Sequence, residues 1–393
     1  MSIPTLDSLL AAGVRGERVF VRADLNVPLD AGVISDDSRV RASLPTLRRL
    51  LDAGARVVVA SHLGRPKGKR SPDLSLRPLA PRLADLLGTG VSFCEECIGE
   101  RAVAAVAEIG PGQLLLLENL RFHAGEEKND PDFAAALAAL ADVYVNDAFG
   151  TAHRAHASTV GMLSKLTRAV AGDLLRSELE HLSVVRKPER PLLAIVGGAK
   201  VSSKLGVLEA LARHADVVCI GGAMSYTFLA AQSEPVGKSL VEADQLDAAR
   251  RVMRVASERG RRLRLPTDHV VAERVEPGAR TRVVRQIPDG WIGVDIGPET
   301  AQAYAQEARS ARTVFWNGPM GVFEIDAFAR GTETLAKAVA SSRAITVVGG
   351  GDSLAAVRRL GVADRITHLS TGGGASLEYI EGLTLPGVAA LER

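Results

Sequence analysis

Strand-length apolar runs alternate with helix-length amphipathic patterns along nearly the whole chain. This alternation restricts the fold more than any other feature. An apolar run without polar alternation needs cover on both faces, which a parallel sheet between two helix layers supplies. Runs near 18–24, 56–61, 91–94, 113–118 and 142–146 read as strands, and segments 43–53, 78–87, 100–108 and 132–141 as the helices between them. In the first of these helices Ser43 is expected as N-cap, Pro45 in the first turn and Gly54 just past the end. A second series starts at 192–196 and continues near 216–220, 262–265, 290–295, 313–316 and 345–348. Between the series, Leu174, Leu175, Leu179 and Leu182 keep helical spacing and precede the breaker-rich Lys187-Pro-Glu-Arg-Pro191. The expected fold class is α/β: two doubly wound parallel-sheet, Rossmann-like lobes joined by a linking helix over 172–186. The length of 393 residues gives each lobe enough chain to bury its own core.

A formal net charge of +2 is too small to argue for nucleic acid or a membrane surface as partner. No apolar run reaches the roughly 18 residues of a membrane span. The opening residues lack the pattern of a secretory signal, and three cysteines are a sparse, odd number, so a reducing cytoplasm is expected. Cys94 and Cys97 have metal or redox spacing, but their only companion is the distant Cys219, and two carboxylates lie between them. Coincidence is the better reading. His153 and His156, three apart, are read as serving anions or packing rather than a metal.

In open parallel sheets, ligands sit beyond the carboxyl ends of the strands. The first series places there Arg22, Asp24 and Asn26, then Ser61-His-Leu-Gly-Arg65, then Glu118-Asn-Leu-Arg121, then Asn146-Asp147 with His153-Arg154 soon after, and Arg39 nearby. Arginines recurring at successive strand ends suit a small, multiply anionic molecule. The second series places glycines at the same positions: Gly197-Gly198, Gly221-Gly222, Asp295-Ile-Gly-Pro298, Asn317-Gly-Pro319 and Gly349-Gly350-Gly351-Asp352-Ser353. Glycines let a phosphorylated ligand approach the backbone. Asp352, at a helix start, suits a Mg²⁺ partner beside nucleotide phosphates or a plain N-cap. The stretch 191–211 carries the sharpest signal. A buried strand and a Gly-Gly turn lead to a helix expected to begin near Ala199, with Ser202 or Ser203 as cap and Val201, Leu205, Val207 and Leu208 buried. Lys200 and Lys204 then share one face of the first turn, where the helix dipole already favours an anion. Only nine of the 48 basic residues are lysines, so two at this turn point to a phosphate.

Read together, VRADLNVP (21–28), SHLGRPKG (61–68), LENLRFH (117–123), NDAFGTAHRAHAS (146–158), GGAKVSSKL (197–205), DIGPET (295–300), FWNGPMGVFE (315–324), GGGDS (349–353) and STGGGASLE (370–378) resemble the phosphoglycerate kinases, in that family's order and over the full length. The resemblance implies an N-terminal acid-binding lobe (1–171, joined by a returning segment 371–393), a linking helix (172–186) and a C-terminal nucleotide lobe (187–370). It implies that the triose acid meets Asp24, Asn26, Arg39, His62, Arg65, Arg121 and Arg154. Nucleotide binding falls to Lys200, Lys204, Gly222, Gly293, Asn317, Glu324, Gly350, Gly351, Asp352 and Ser353, with Asp352 on the metal. Catalytic roles fall to Arg39, Lys200 and Gly372, the last through backbone N–H groups of the loop 372–374.

The implied reaction moves a phosphoryl group between 1,3-bisphosphoglycerate and MgADP, with Mg²⁺ as cofactor and small molecules as partners, in a cytoplasmic monomer that touches neither nucleic acid nor membrane. The nucleophile is already ionised in either direction, so no general base is expected, and the lobes are expected to close for in-line transfer. Departures from the family pattern are Leu25 for Phe, Ser202-Ser203 for Ala-Asp, Ala223 for Gly, and Asp173, expected to wet the start of the linking helix. A nicotinamide-dependent dehydrogenase would share the layering, but its GxGxxG fingerprint is missing. A bilobal solute-binding protein would normally need a secretory signal and no phosphate-directed lysines.

Overall fold

The computed structural model of the chain describes residues 3–30 and 32–392; Met1 and Ser2, part of the opening stretch read above, lie outside it. The chain divides into two compact units, residues 1–179 with 384–393, and residues 180–383. The sequence boundary of the returning segment therefore moves. Residues 371–383, expected with the first lobe, belong to the second unit, and the return begins at Thr384.

The first unit is built on a six-stranded parallel sheet in the order Val91–Cys94, Leu114–Leu117, Arg56–Ala60, Arg18–Ala23, Val143–Asp147, Ala169–Ala171. The central strands are buried along nearly their whole length, as two covered faces require. Val19, Val21, Val57, Val59, Leu114, Leu116, Val143 and Val145 form one core with Leu44, Leu47 and Leu50 of the Ser38–Asp52 helix.

That helix corrects a sequence expectation. It starts at Ser38 behind Asp37, so Ser43 is not a cap but an interior residue whose hydroxyl donates to the Arg39 carbonyl. Pro45 lies inside the helix rather than in its first turn. The buried stripe Val40, Leu44, Leu47 and Leu50 outweighs the cost of the missing N–H. Gly54 follows the helix with φ +75°, as expected of a residue just past a helix end.

The second unit holds a six-stranded parallel sheet in the order Arg262–Arg264, Val217–Ile220, Leu192–Val196, Thr313–Asn317, Ile345–Gly349, His368–Ser370. The chain runs outward from Leu192–Val196 to one edge, then restarts on its other side with Thr313–Asn317. The order therefore reverses between those two strands, the place where such sheets bind ligands. The segment read as a parallel strand near 290–295 is different. Ile292–Ile296 joins an antiparallel three-stranded sheet with His269–Ala272 and Thr281–Val284, two strands not foreseen. Its apolar run gave no clue to direction, because Ile292 and Val294 find apolar cover with Val270 and Phe328 while Ile296 joins the core of the parallel sheet, so the strand is as apolar as a parallel one. The Asp173–Arg186 helix straddles the unit boundary, with Leu175, Leu182 and Val185 buried.

Candidate functional site

The first unit brings Arg22, Arg39, Arg121 and Arg154 close enough that each bears on His62 or His156 at the carboxyl ends of its strands. Asp24, 2% exposed, pairs through Oδ2 with the Arg39 guanidinium, while its Oδ1 is buried with no hydrogen-bond partner. A buried carboxylate oxygen left in that state is an acceptor awaiting a donor. Asn26 accepts from the Gly64 N–H at 2.8 Å, so its oxygen pins the loop carrying His62 and Arg65. Arg121 is buried, donates from Nη1 to the Gly64 carbonyl at 2.8 Å and lies 3.3 Å from Glu127; burial and the neighbouring Arg22 and Arg154 lower its pKa. Arg154 is half-buried and donates to His153 Nε2 at 3.1 Å. Arg65 is exposed and makes no hydrogen bond or ion pair within the described residues. Glu118 and Asn119, singled out with them, scaffold loops. Glu118 accepts from Ser75 Oγ and from the N–H groups of Leu76 and Asn119, and Asn119 Nδ2 donates to the Leu63 and Leu74 carbonyls.

Behind these side chains lies a buried polar network that the sequence did not announce. Arg22, fully buried, donates from Nε to Ser158 Oγ at 2.9 Å and from Nη2 to His62 Nδ1 at 3.2 Å. Ser158 in turn donates its hydroxyl to Glu126 Oε1 at 2.6 Å and its N–H to Oε2 at 3.0 Å. Burial raises the Glu126 carboxyl while Arg22 and Ser158 oppose the shift. His62 is pushed well below the ordinary histidine range by burial and by Arg22, Arg121 and Arg39; His156 falls to about 3 for similar reasons. Both histidines are neutral and inside the protein, so His156 serves packing. Nothing in the residue pattern could pair Arg22 with Glu126, because their link runs through a serine 136 residues from Arg22.

In the second unit the loops after Leu192–Val196, Val217–Ile220 and Thr313–Asn317 are knitted together by backbone. Gly197 N–H donates to the Asn317 carbonyl at 2.9 Å, Gly198 N–H to Pro319 at 3.1 Å, and Gly222 N–H to Met320 at 2.9 Å. A Cβ on Gly222, whose φ is +67°, would lie 2.5 Å from both the N and O of Gly198. Lys204 sits at the switch point. Its ammonium donates to the Gly197 carbonyl at 2.6 Å and the Asn317 carbonyl at 3.2 Å. Burial lowers its pKa to about 8, with Asp352 opposing the shift.

The local geometry differs from the expectation. A 3₁₀ turn, Ser202–Lys204, precedes the Leu205–His214 helix, so Lys204 holds the N-cap position rather than a first-turn face. Neither serine caps: Ser202 Oγ donates to Glu242 at 2.5 Å and Ser203 Oγ to the Lys200 carbonyl at 2.9 Å. Val201, Val207 and Leu208 are buried as expected, but Leu205 is only half-buried. Lys200 lies before the turn, exposed, and its ammonium has no partner among the described residues.

The remaining predicted nucleotide residues fall into two groups. Asn317 is 4% exposed, and Ser353 is fully buried with its hydroxyl accepting from the Gly318 N–H at 2.6 Å, so the Ser353 hydroxyl holds the loop. Gly293 donates its N–H to Ser239 Oγ at 2.9 Å, and a Cβ there would strike the Tyr226 ring. Glu324 and Asp352 are exposed. Asp352 lies in the first turn of the Gly351–Arg359 helix, whose N-cap is Gly350, so it is not itself the cap. Gly372 is buried, with its N–H directed to Ser370 Oγ at 3.3 Å, ahead of the Gly374–Glu381 helix. The departures Leu25 and Ala223 both sit in apolar clusters, Leu25 fully buried. Asp173 is not wetted as expected; it pairs with Arg49 at 2.8 Å and is 16% exposed.

Concavity alone would mislead here. A cavity of about 580 Å³ lined by Gln232, Met253, Arg261 and Arg264 flanks the edge strand Arg262–Arg264 and contains none of the residues above. Cys94, Cys97 and Cys219 are free and buried, and burial raises the Cys97 and Cys219 thiols, which leaves no redox reading for Cys94 and Cys97. Among the described residues no cluster of three histidine, cysteine or acidic side chains could hold a metal, and no helix is long and apolar enough to cross a membrane.

The family model described as phosphoglycerate kinase matches residues 9–383. A phosphoglycerate kinase of Rubrobacter xylanophilus is 58% identical over 381 residues, 96% of each chain, and one of Acaryochloris marina is 52% identical over the full length of both. Among solved structures, phosphoglycerate kinase from Coxiella burnetii superposes with a TM-score of 0.90 at 41% identity, covering 100% of this chain and 99% of the other. That from Pyrococcus horikoshii gives 0.87 at 34% identity, covering 99% and 98%.

Proposed function

Since the chain belongs to the phosphoglycerate kinase family, we propose that each of its two units supplies one half of the reaction from its own strand ends. The protein catalyses reversible phosphoryl transfer between 1,3-bisphosphoglycerate and MgADP, giving 3-phosphoglycerate and MgATP. The observation that carries the division is chemical segregation. Asp24, Arg39, His62, Arg65, Arg121 and Arg154 lie in the first unit; the glycine loops, Lys204 and Asp352 lie in the second.

In the first unit the arginines take the acid's charged groups, and the unpartnered Oδ1 of Asp24 takes a hydroxyl. Asn26 orients the loop under His62 and Arg65. Arg39 leaves Asp24 far enough to meet the transferring phosphoryl group. In the second unit Lys204 exchanges backbone carbonyls for phosphate oxygens, and the exposed Lys200 adds charge where it develops. Gly350 and Gly351 let the nucleotide reach the first-turn N–H groups of the helix at 351–359, which have no intrahelical acceptor. Asn317, Gly222 and Gly293 border the base and sugar, with Glu324 reaching the sugar, and Gly372 directs backbone donors to the phosphoryl group. Magnesium enters as part of the nucleotide. A single exposed carboxylate, Asp352, suits an ion that already carries phosphate and water ligands.

No side chain needs to take a proton, because the attacking oxygen is ionised in both directions; His62 and His156, held neutral, are not acting as bases. In-line transfer needs the reacting atoms within about 3–3.5 Å, so the acid and the nucleotide must be brought to that separation before the phosphoryl group moves. We place the protein in the cytoplasm as a monomer, with three buried free thiols in agreement with a reducing compartment.

A coupled assay with 3-phosphoglycerate and MgATP tests the activity, and NAD⁺ should change nothing. Arg39→Ala tests the mechanism. The kcat should fall by about 10²–10³, with little change in either KM, as for loss of a group acting in the transition state. Normal kcat with a large rise in the KM for the acid would move Arg39 to ground-state binding.

A further inference from the structure

We propose that Arg22 is a positioning residue: from inside the core it fixes His62 as the neutral tautomer with the proton on Nε2, so that His62 presents a donor to the acid substrate. A guanidinium has donors only. Arg22 Nη2 lies 3.2 Å from His62 Nδ1, so Nδ1 must accept, and in a neutral ring the single proton then belongs to Nε2. A proton on Nδ1 would set two donors against each other at that distance.

The orientation of Arg22 is fixed at every donor the structure uses. Nη1 donates to the Ala23 carbonyl at 2.5 Å, Nε to Ser158 Oγ at 2.9 Å, and Nη2 to His62. Ser158 is itself held by Glu126 through two bonds, and Tyr144 donates its hydroxyl to the Ser158 carbonyl at 2.8 Å. Arg22, Glu126, Ser158 and Tyr144 are all fully buried, so this chain of contacts has no solvent to exchange with. The outer end is different. His62 is 4% exposed, and its Nε2 is neither a buried orphan nor bonded to any described protein group. Nε2–H is therefore the donor left over for a ligand. Anionic oxygens of the acid accept such a bond from a neutral imidazole. The other tautomer would turn a lone pair toward them.

The inference rests on the assignment of His62 to the acid site, and the test separates the two. In protein labelled with ¹⁵N-histidine, long-range ¹H–¹⁵N spectra give each ring's tautomer, and His62→Gln identifies the His62 signals. The wild type without ligand should show a single His62 state, Nδ1 unprotonated and Nε2 protonated, at pH 7. An Nδ1–H state, a mixture or an imidazolium would overturn the proposal.

The second arm removes the fixing group. Arg22→Met alone strands the Glu126 carboxylate, so Arg22→Met with Glu126→Gln is the informative variant. Its His62 should become a tautomer mixture, and the KM for 3-phosphoglycerate should rise about tenfold, the loss of one hydrogen bond to an anion, with kcat and the KM for MgATP within about twofold. A double variant that keeps the single Nε2–H state and the wild-type KM would also overturn it. Addition of 3-phosphoglycerate to the wild type should shift the His62 Nε2 signal. If the tautomer is as proposed but that signal does not move, the assignment of His62 to the acid fails while the tautomer stands.

Discussion

Lys204 shows how one residue's environment becomes a property of binding. Burial holds its pKa down to about 8, and in the free protein its ammonium donates to the carbonyls of Gly197 and Asn317. In the role proposed for Lys204, phosphate oxygens stabilise the charged form, so its pKa is expected to rise when the nucleotide binds. Free protein loses the charge as pH climbs through about 8, whereas on that role the bound protein keeps it. Affinity for MgADP should be flat below that pH and fall above it, approaching about tenfold per pH unit. Titration calorimetry from pH 7 to 9.5 checks this. Lys204→Arg, which does not titrate in this range, should bind more weakly at pH 7 but show no such fall; a wild-type profile level to pH 9.5 would remove Lys204 from the phosphate site. At this scale the sequence was informative where a charged residue lies at or within a few residues of a strand's end, as Asp24 and Arg121 do, or in the turn that leads from a strand into a helix, as Lys204 does. It placed Arg22 at a strand end but was silent on its link to Ser158 and Glu126, because burial and pairing across 136 residues leave no local pattern.

At the scale of elements, the strand-end loops of the second unit depend on residues without side chains. Gly222 is the sharpest case, since its φ of +67° and its approach to the Gly198 backbone exclude a Cβ independently. Gly222→Ala should cost about 1–3 kcal/mol in urea unfolding and raise the Kd for MgADP, leaving 3-phosphoglycerate binding unchanged. Equal stability would mean that the two loops move apart at little cost. Gly373, with φ +54°, is a poor place for a stiffening proline, because a proline ring holds φ near −65° and would break the loop before 374 instead. The apolar runs identified most central strands, since covered strands need continuous apolar residues. Helix starts were less legible. Ser43 and Pro45 imitate a helix beginning, yet the buried stripe from Val40 onward carries the helix five residues further back. Ser202 and Ser203 imitate caps, but their hydroxyls go to Glu242 and the Lys200 carbonyl. Strand direction was not legible at all for Ile292–Ile296, whose neighbours lie in an antiparallel sheet.

At the scale of the molecule, the assignment rests on two separate sheets carrying two separate chemistries. The first unit is completed by the chain's last residues: Gly387 N–H donates to the Ala152 carbonyl at 2.8 Å, and Asn146 Nδ2 donates to the Gly387 carbonyl at 3.1 Å. The return was legible only through family resemblance, and its start at Thr384 was not, because the Gly374–Glu381 helix packs on the Leu205–His214 helix of the second unit. Equilibrium binding tests the division directly. Calorimetric titration of Arg65→Ala and Lys204→Ala, each with 3-phosphoglycerate and with MgADP at pH 7, should give a crossed result. Arg65→Ala should lose about tenfold or more in affinity for the acid, one charge-assisted hydrogen bond or better, and keep its MgADP affinity within about twofold. Lys204→Ala should do the reverse. If either variant loses both ligands, or if Lys204→Ala weakens the acid and spares the nucleotide, the assignment of acid to the first unit and nucleotide to the second is wrong.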